Sequence, residues 1–187
     1  MDNKALESLD LSSIEILFGW EEMTQERLKF LADKTSNKML RWLAMIHPDN
    51  RTRENLLRLS NLIVGEKTII NAGLNVYNTN DCVVEIGSYC DIAANVSLIT
   101  ASGALMSELK DIPDVKNNYF KEGKIIIEDH VWIGANVIVF PGITIGRKSI
   151  IGAGSIINKN IPPNSVVKGQ PGIVFKKIEG DRVVSFK

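Results

Sequence analysis

Residues 125–157 read IIIEDHVWIGANVIVFPGITIGRKSIIGAGSII, and a branched apolar residue recurs there at every sixth position. These positions are Ile127, Ile133, Val139, Ile145, Ile151 and Ile157. An α-helix repeats about every 3.6 residues and a strand every two, so neither element accounts for a period of six. A parallel β-helix does, because each hexad supplies one short strand and its corner. The sequence therefore predicts a mainly β fold built as a parallel β-helix.

A second apolar set lies two residues before members of the first. It consists of Ile125, Val131, Val137 and Ile143. Two shorter runs earlier in the chain keep the same spacing. They are Val64, Ile70 and Val76, and then Ile86, Ile92 and Leu98. We expect these side chains to point into the β-helix or to pack at its corners, where each stacks on the equivalent residue of the next coil.

Two interruptions in the spacing predict segments that loop out of the coil. The step from Val76 to Ile86 is ten residues and contains the turn-rich run 78–81, and the step from Leu98 to Ile127 is twenty-nine residues. The second segment, about 101–124, is polar and charged and contains Pro113. Long excursions from a regular scaffold commonly carry binding and catalytic residues. We expect a functional site here, and an insertion without a role is the alternative.

The first sixty residues are predicted to form an N-terminal α-helical cap (1–60) on the β-helix (61–178), which a short, uninformative tail follows (179–187). Apolar residues at near-helical spacing predict a helix that begins near Thr24 and ends before His47, and a second helix from about Thr52 to Ser60. His47 is interpreted as structural. The aromatic residues of this segment are expected to pack the cap onto the first coil; they are Phe18, Trp20, Phe30 and Trp42. Contact with a substrate or partner is the alternative role of the cap.

The composition favours a cytoplasmic protein. The 187 residues hold 22 basic and 22 acidic side chains, which argues against a protein that binds nucleic acid or a membrane surface through charge. No apolar run near the start is long enough for a signal peptide or a membrane span. The two cysteines form neither a disulfide framework nor a metal-ligand pattern.

Four stretches carry a resemblance to a known family. They are 125–137 (IIIEDHVWIGANV), 141–146 (PGITIG), 150–155 (IIGAGS) and 161–171 (IPPNSVVKGQP). Together they resemble the hexapeptide-repeat acyltransferases, and most closely the sugar and maltose O-acetyltransferases, a branch that includes enzymes acting on capsule and lipopolysaccharide sugars. The resemblance covers about residues 60–178. It implies a left-handed parallel β-helix, a homotrimer, and acetyl-CoA as the acetyl donor.

The resemblance also implies direct attack of an acceptor hydroxyl on the thioester, with a histidine as general base and a backbone amide stabilising the oxyanion. The family places that histidine at the mouth of the long excursion, within Ile-Thr-His-Ser-Gly in one branch and Thr-Ala-x-His-Pro in another. Residues 98–104 read LITASGA instead. The first alignment puts Ala101 at the histidine position, and the second puts Gly103 there. The expected base is missing.

Three interpretations of this absence stay open. A histidine has been replaced by Ala101, which inactivates the enzyme; or the chain is a natural, non-catalytic homologue that still binds CoA or a sugar; or another residue is the base. His130 is the only histidine of the repeat domain, but the family gives its position no catalytic duty. Three further polar residues are candidates for assisting roles, and they are Asp91, Asn95 and Glu108.

The remaining site residues are also implied by the resemblance. Trp132 is expected to face outward, near the acceptor or the acetyl end of CoA, with interface packing as the alternative. Small residues that let the pantetheine arm approach the coil are Ala135, Ala153 and Gly154. Asn158 and Lys159 resemble a family pair that reaches the adenosine end. The lysines placed to meet the phosphates are Lys168, Lys176 and Lys177, and an ordinary solvated charge is the alternative for each.

The sequence thus predicts an acetyl-CoA-dependent acetyltransferase that acts on a hydroxyl of a sugar or glycan precursor. N-acetylation of a nucleotide-linked amino sugar uses the same geometry and is the alternative reaction, and a non-catalytic CoA- or sugar-binding trimer is the alternative class. The γ-class carbonic anhydrases share the coil but need three histidines per zinc site, and this chain has only His47 and His130. No metal and no nucleic-acid partner are expected.

Overall fold

The computed structural model describes residues 22–77, 84–104 and 106–185. Three helices come first: α1 (Gln25–Lys34), α2 (Asn37–Ile46) and α3 (Asn50–Leu59). Six short strands follow: β1 (Ile63–Val64), β2 (Ile69–Ile70), β3 (Asn75–Tyr77), β4 (Val84–Ile86), β5 (Asp91–Ile92) and β6 (Ser97–Ile99). The next segment comprises β7 (Ala101–Ser102), a 3₁₀ turn (Glu108–Asp111), α4 (Pro113–Asn118) and β8 (Lys121–Glu122). The remaining strands are β9 (Ile125–Ile127), β10 (Trp132–Ile133), β11 (Ile138–Val139), β12 (Thr144–Ile145), β13 (Ile150–Ile151), β14 (Ile156–Ile157), β15 (Ser165–Lys168), β16 (Ile173–Glu179) and β17 (Arg182–Ser185).

Successive strands fall on three parallel sheets in turn. The first face contains β1, β4, β9 and β12; the second contains β2, β5, β10, β13 and β15; the third contains β3, β6, β11 and β14. Every pairing between these strands is parallel. The chain therefore winds as a three-sided coil, and the prediction of a mainly β fold with parallel strands is confirmed.

The interior of the coil is filled by stacked branched side chains. On the second face the inward stack is Ile70, Ile92, Ile133, Ile151 and Val167, each paired in register with the next. Each of these residues is at most 1% exposed. The positions predicted from the six-residue period are buried throughout the coil, as are the members of the second set. Burial of one such side chain contributes about 1.5–3 kcal/mol, so the repeated stack is the main source of the coil's stability.

Left-handed backbone conformations mark the corners of the coil. Between the second and third faces they occur at Gly73, Asn95, Asn136 and Gly154. Between the first and second faces they occur at Lys67, Tyr89, His130, Lys148 and Asn164. A positive φ disfavours most side chains, and glycine and asparagine tolerate it best. A Cβ at Gly73 would also lie 2.2 Å from the Asn95 side-chain oxygen, so close approach as well as backbone geometry requires glycine there.

The helical segment differs in detail from the prediction. The first predicted helix is broken at Thr35 and Ser36, because the Ser36 hydroxyl caps a new helix by accepting from the Met39 amide at 3.3 Å. Thr24 does occupy the N-cap position of α1, although its side chain makes no capping hydrogen bond. Helix α3 begins at Asn50, with the Asp49 carboxylate accepting from the Thr52 amide at 2.7 Å.

Helix α3 attaches this segment to the first coil through polar contacts to one strand. Arg53 is only 5% exposed, and its Nε donates to the Ile70 carbonyl at 2.7 Å. The Asn50 side-chain oxygen accepts from the Ile70 amide at 2.8 Å. A buried guanidinium needs its hydrogen bonds satisfied, so these contacts fix the orientation of the helix against the coil.

The predicted aromatic packing is wrong for Phe30 and only partly right for Trp42, which lies beside the first coil but stays about half exposed. Phe30 is 61% exposed and Trp42 is 48% exposed, because the helices cover the coil with aliphatic residues such as Leu28, Leu40 and Leu56 instead. Phe18 and Trp20 lie outside the described residues, as does the turn-rich run 78–81.

The C-terminal end adds a hairpin that was not predicted from the sequence. Strand β16 pairs antiparallel with β15, and β17 pairs antiparallel with β16, which extends the second face beyond the coil. Among the described residues, none of the helices has the length and apolar character needed to cross a membrane.

Candidate functional site

The long excursion leaves the coil at the corner between the third and first faces. Its two ends pair as an antiparallel hairpin, with Ala101 opposite Glu122 and Ser102 opposite Lys121. Beyond the hairpin, the excursion forms its own cavity of about 380 Å³. The cavity is lined by Ala104, Lys110, Asp111, Val115, Lys116 and Phe120. The sequence predicted a functional site in this segment but singled out none of the lining residues, because their proximity depends on the fold of the loop.

The two positions at which a general base was expected differ in their surroundings. Ala101 is 5% exposed, whereas Gly103 is exposed at the rim of the excursion. A Cβ at Gly103 would lie 2.3 Å from Cδ2 of Phe120, so the Phe120 ring covers the backbone there. Neither residue carries a group that can accept a proton.

His130 lies at a different corner of the coil. Its amide donates to the Ser88 carbonyl at 2.9 Å, and its ring stacks on Tyr89 with 5.1 Å between centroids and 12° between planes. The Lys67 ammonium lies 5.3 Å from the centre of the Tyr89 ring. This stack runs along the corner between the first and second faces, so the fold of a single chain does not bring His130 to the excursion.

His47 is also remote from the excursion. It caps the C-terminal end of α2 and is 2% exposed. Its Nδ1 accepts from the Asp49 amide at 3.1 Å, while Nε2 is buried without a hydrogen-bond partner. Burial lowers the pKa of His47 below its ordinary value, which keeps the ring neutral inside the helical segment.

Trp132 projects outward from the second face, as the sequence predicted. Its side chain is 55% exposed, and it stands in register between Asp91 and Ile150 on the neighbouring strands. Asp91, one of the candidate assisting residues, is therefore its direct neighbour on the outer surface. Asn95 lies farther along the chain, at the corner between the second and third faces, and Glu108 lies in the 3₁₀ turn of the excursion.

The predicted pantetheine residues form a strip along the corner between the second and third faces. The Gly154 amide donates to the Ala135 carbonyl at 2.8 Å, which stacks one coil on the next. A Cβ at Gly154 would meet no atom within 4 Å, so the outer side of the strip is open. Ala153 is exposed beside it. A corner of small residues with a free outer side accommodates an extended, flexible chain such as pantetheine.

The polar residues predicted to hold the nucleotide end fall into two groups. Asn158 and Lys159 are exposed and follow β14, at the corner between the third and first faces. Lys168 ends β15, while Lys176 and Lys177 lie in β16. The ammonium groups of Lys168 and Lys176 lie 4.3 Å and 5.7 Å from the centre of the Phe175 ring. The structure thus brings Lys168 and Lys176 together around the Phe175 ring, whereas Lys159 lies at the corner between the third and first faces.

Metal chemistry finds no support in the described part of the chain. Within residues 22–77, 84–104 and 106–185, no cluster of three His, Cys, Asp or Glu side chains has an arrangement that could hold a metal ion.

Comparisons with known proteins match this architecture. A family model described as the hexapeptide repeat of succinyl-transferase matches residues 124–159. Galactoside O-acetyltransferase of Escherichia coli (strain K12) is 39% identical over 129 residues, which are 68% of this chain and 60% of that protein. This chain spans about half the length of the first curated relatives that it matches.

Two solved structures are similar over most of both chains. A galactoside acetyltransferase in complex with coenzyme A is 30% identical, with a TM-score of 0.61, over 85% of this chain and 86% of that one. The maltose O-acetyltransferase of Clostridium difficile 630 is 29% identical, with a TM-score of 0.55, over 88% of this chain and 96% of that one.

Proposed function

Because this chain belongs to the hexapeptide-repeat acetyltransferases, we propose that it uses acetyl-CoA to acetylate a hydroxyl of a sugar or glycan precursor. The observation that carries the proposal is the open strip of small residues at Ala135, Ala153 and Gly154, which is adjacent to the face bearing the exposed Trp132. The names of the relatives favour a sugar hydroxyl, since they act on a galactoside and on maltose.

We also propose the assembly that the family resemblance implies. The coil is left-handed, three subunits associate through their faces, and acetyl-CoA lies in the groove between two subunits. We propose that 61–178 form the catalytic domain and that the described part of the N-terminal segment, 22–60, caps the coil; residues 1–21 of the predicted cap and 186–187 of the predicted tail lie outside the described residues. A closed cyclic trimer gives three equivalent grooves. The reaction places the protein in the cytoplasm, where acetyl-CoA is available.

The proposed chemistry is a direct transfer. The acceptor hydroxyl oxygen attacks the thioester carbonyl carbon and forms a new C–O bond, and its proton passes to solvent water. The C–S bond breaks, and CoA leaves as a thiolate that takes up a proton from solvent. Trp132 forms a flat wall that positions the acceptor beside the acetyl group. The small residues of the strip let backbone amides approach the carbonyl oxygen and stabilise its negative charge. Lys168, Lys176 and Lys177 act as point charges for the phosphates, while Asn158 and Lys159 contact the adenosine end.

The reaction is slow in this chain because the acceptor proton has no side-chain base at position 101. We assign the missing histidine to Ala101, where the Ile-Thr-His-Ser-Gly alignment places it. General base catalysis contributes about 10²–10⁴-fold to a rate, so the loss leaves a binding-competent protein with weak turnover. Asn95 and Asp91 are the polar residues that assist in positioning.

The missing base favours a second candidate reaction. A neutral amine attacks a thioester without first losing a proton, so it needs a general base less than a hydroxyl does. N-acetylation of a nucleotide-linked amino sugar is therefore the alternative reaction, and a non-catalytic CoA- or sugar-binding trimer is the alternative class. An acceptor panel that contains both hydroxyl and amine sugars separates these three outcomes.

Calorimetric titration with acetyl-CoA tests the binding half of the proposal. We expect saturable binding to the unmodified chain, and a loss of at least about tenfold in Ala153→Leu, because the leucine fills the open side of the strip. Ala72→Leu is the matched control, since Ala72 is an exposed alanine near the same corner in the first coil. No binding at about 1 mM acetyl-CoA, or equal effects of the two substitutions, refutes the assigned groove.

A further inference from the structure

A groove of about 440 Å³ lies between helix α2 and the first coil, apart from the cavity of the excursion. The helix contributes Lys38, Arg41, Trp42 and Met45, and the coil contributes Leu74, Asn75, Val76 and Tyr77. This volume falls within the range of small-molecule sites. The sequence predicted the helical segment as a cover for the coil, with contact to a substrate or partner as the alternative, but it did not predict this groove.

The groove is positively charged. Among the residues that the structure describes, its charged lining consists of Lys38 and Arg41, and no carboxylate lines it. The Arg41 guanidinium is anchored, because Nη1 donates to the Ser60 carbonyl at 3.2 Å. Partial burial lowers the pKa of Arg41, but an arginine stays charged at neutral pH. A partly desolvated, anchored cation favours an anionic ligand group.

The groove also exposes two aromatic rings over an apolar floor. Trp42 from the helix is 48% exposed and Tyr77 from β3 is 54% exposed. Leu74 and Val76 are buried beneath them, at 2% and 8% exposure. Aromatic side chains present a flat apolar surface to a ring and a polar group to its substituents. The lining therefore suits a ligand that combines a ring with a negative charge.

The groove ends beside the mouth of the excursion. The Tyr77 carbonyl accepts from the Thr100 amide at 3.0 Å and from the Thr100 hydroxyl at 3.1 Å. Ala101, the proposed position of the missing base, is the next residue. A ligand held on Tyr77 thus lies close to the point at which the proposed reaction takes place.

We propose that this groove binds the anionic part of the acceptor, a sugar that carries a carboxylate or a phosphate beside its ring. Lys38 and Arg41 neutralise the anion, while Trp42 and Tyr77 contact the ring. The identification of this ligand as the acceptor rests on the function proposed above. The preference of the groove for an anionic ligand does not rest on that function, because binding is measurable without turnover.

Equilibrium binding of three matched probes tests this inference on the full chain. The probes are glucose, glucuronate and glucose 6-phosphate, titrated at low and at high salt and followed by ligand-observed NMR. We expect at least one anionic probe to bind about threefold to tenfold more tightly than glucose at low salt, with the difference shrinking as salt screens the charges. The anion that binds more tightly identifies the source of the negative charge.

Two variants and one separate titration keep the result interpretable. Lys38→Gln is expected to remove most of the anion preference, whereas Lys29→Gln, the same exchange at an exposed position of α1 outside the groove, leaves it intact. Equal binding of all three probes, or equal effects of the two variants, overturns the inference. A protein that prefers the anionic probes but fails to bind acetyl-CoA supports the groove and refutes the proposed function. If none of the three probes binds to the trimeric protein, a subunit contact covers the groove, and the inference is overturned.

Discussion

Replacing Ile133 by alanine tests the stacked core at its centre. Ile133 is 0% exposed and lies in register between Ile92 and Ile151. The exchange removes three buried carbon atoms, which is about 2.4 kcal/mol at about 0.8 kcal/mol per methylene. The coils above and below are held by backbone hydrogen bonds and cannot close over the cavity, so a further cavity cost is expected. The total is about 3–4 kcal/mol, and Ile133→Val costs about 1 kcal/mol.

Urea unfolding followed by circular dichroism measures this loss, at one fixed protein concentration because the proposed trimer would make apparent stability depend on concentration. Ile63→Ala is the matched control, since Ile63 also lies in a short coil strand but is 53% exposed. We expect it to cost less than about 1 kcal/mol. If Ile133→Ala destabilises the protein no more than Ile63→Ala does, the inward stack does not carry the stability assigned to it.

Two further predictions concern the helical segment and the coil backbone. Burial lowers the pKa of His47, so the unfolded chain binds a proton on this ring at higher pH than the folded chain does. The stability of the protein should therefore fall as the pH drops below about 6.5. In His47→Gln the urea midpoint should change less between about pH 7 and pH 5, and an unchanged pH dependence would contradict this. A Cβ at Gly134 would lie 2.6 Å from the Ala153 amide nitrogen, so Gly134→Ala must push two neighbouring coils apart. We expect a loss of about 1–3 kcal/mol of stability in the same assay, together with weaker acetyl-CoA binding. Unaltered stability would show that the coils can shift apart freely.

The coil could be predicted because its six-residue period is visible in the amino-acid sequence. Each inward position carries a branched apolar residue, which suits both its own strand and the stack of equivalent residues in the adjacent coils. Ile127 and Val139, for example, were predicted from spacing alone and are 1% and 0% exposed. The handedness of the coil could not be predicted in this way, since a six-residue period is compatible with either hand. Only the family resemblance favours the left-handed form.

Elements without a repeat were harder to predict. The helix break at Ser36 depends on a capping hydroxyl that competes with continued apolar spacing, although serine is a known N-cap signal. The C-terminal hairpin had a signal as well, because Gly180-Asp181 separates two runs of apolar and basic residues, and glycine favours such a turn. Gly180 has φ of 60°. Both features were readable from turn chemistry rather than from periodicity.

The candidate site could be predicted only in part, because it combines residues that are far apart in the chain. The outward position of Trp132 followed from its place in the hexad. The groove between Trp42 and Tyr77, and the cavity around Phe120, both need the packing of loops or helices against the coil. Sequence spacing contains no information about such tertiary contacts.

The most direct measurement is steady-state release of CoA from acetyl-CoA, with neutral, anionic and amino sugars as acceptors, for the unmodified chain, Ala101→His and Gly103→His. The account predicts that Ala101→His raises turnover about 10²–10⁴-fold over the unmodified chain, and that Gly103→His, whose side chain must displace the Phe120 ring, does not. Restoration by Gly103→His alone contradicts the assignment of position 101. Turnover by the unmodified chain equal to that of Ala101→His, or no turnover by either variant although both bind acetyl-CoA, contradicts the account of the missing base.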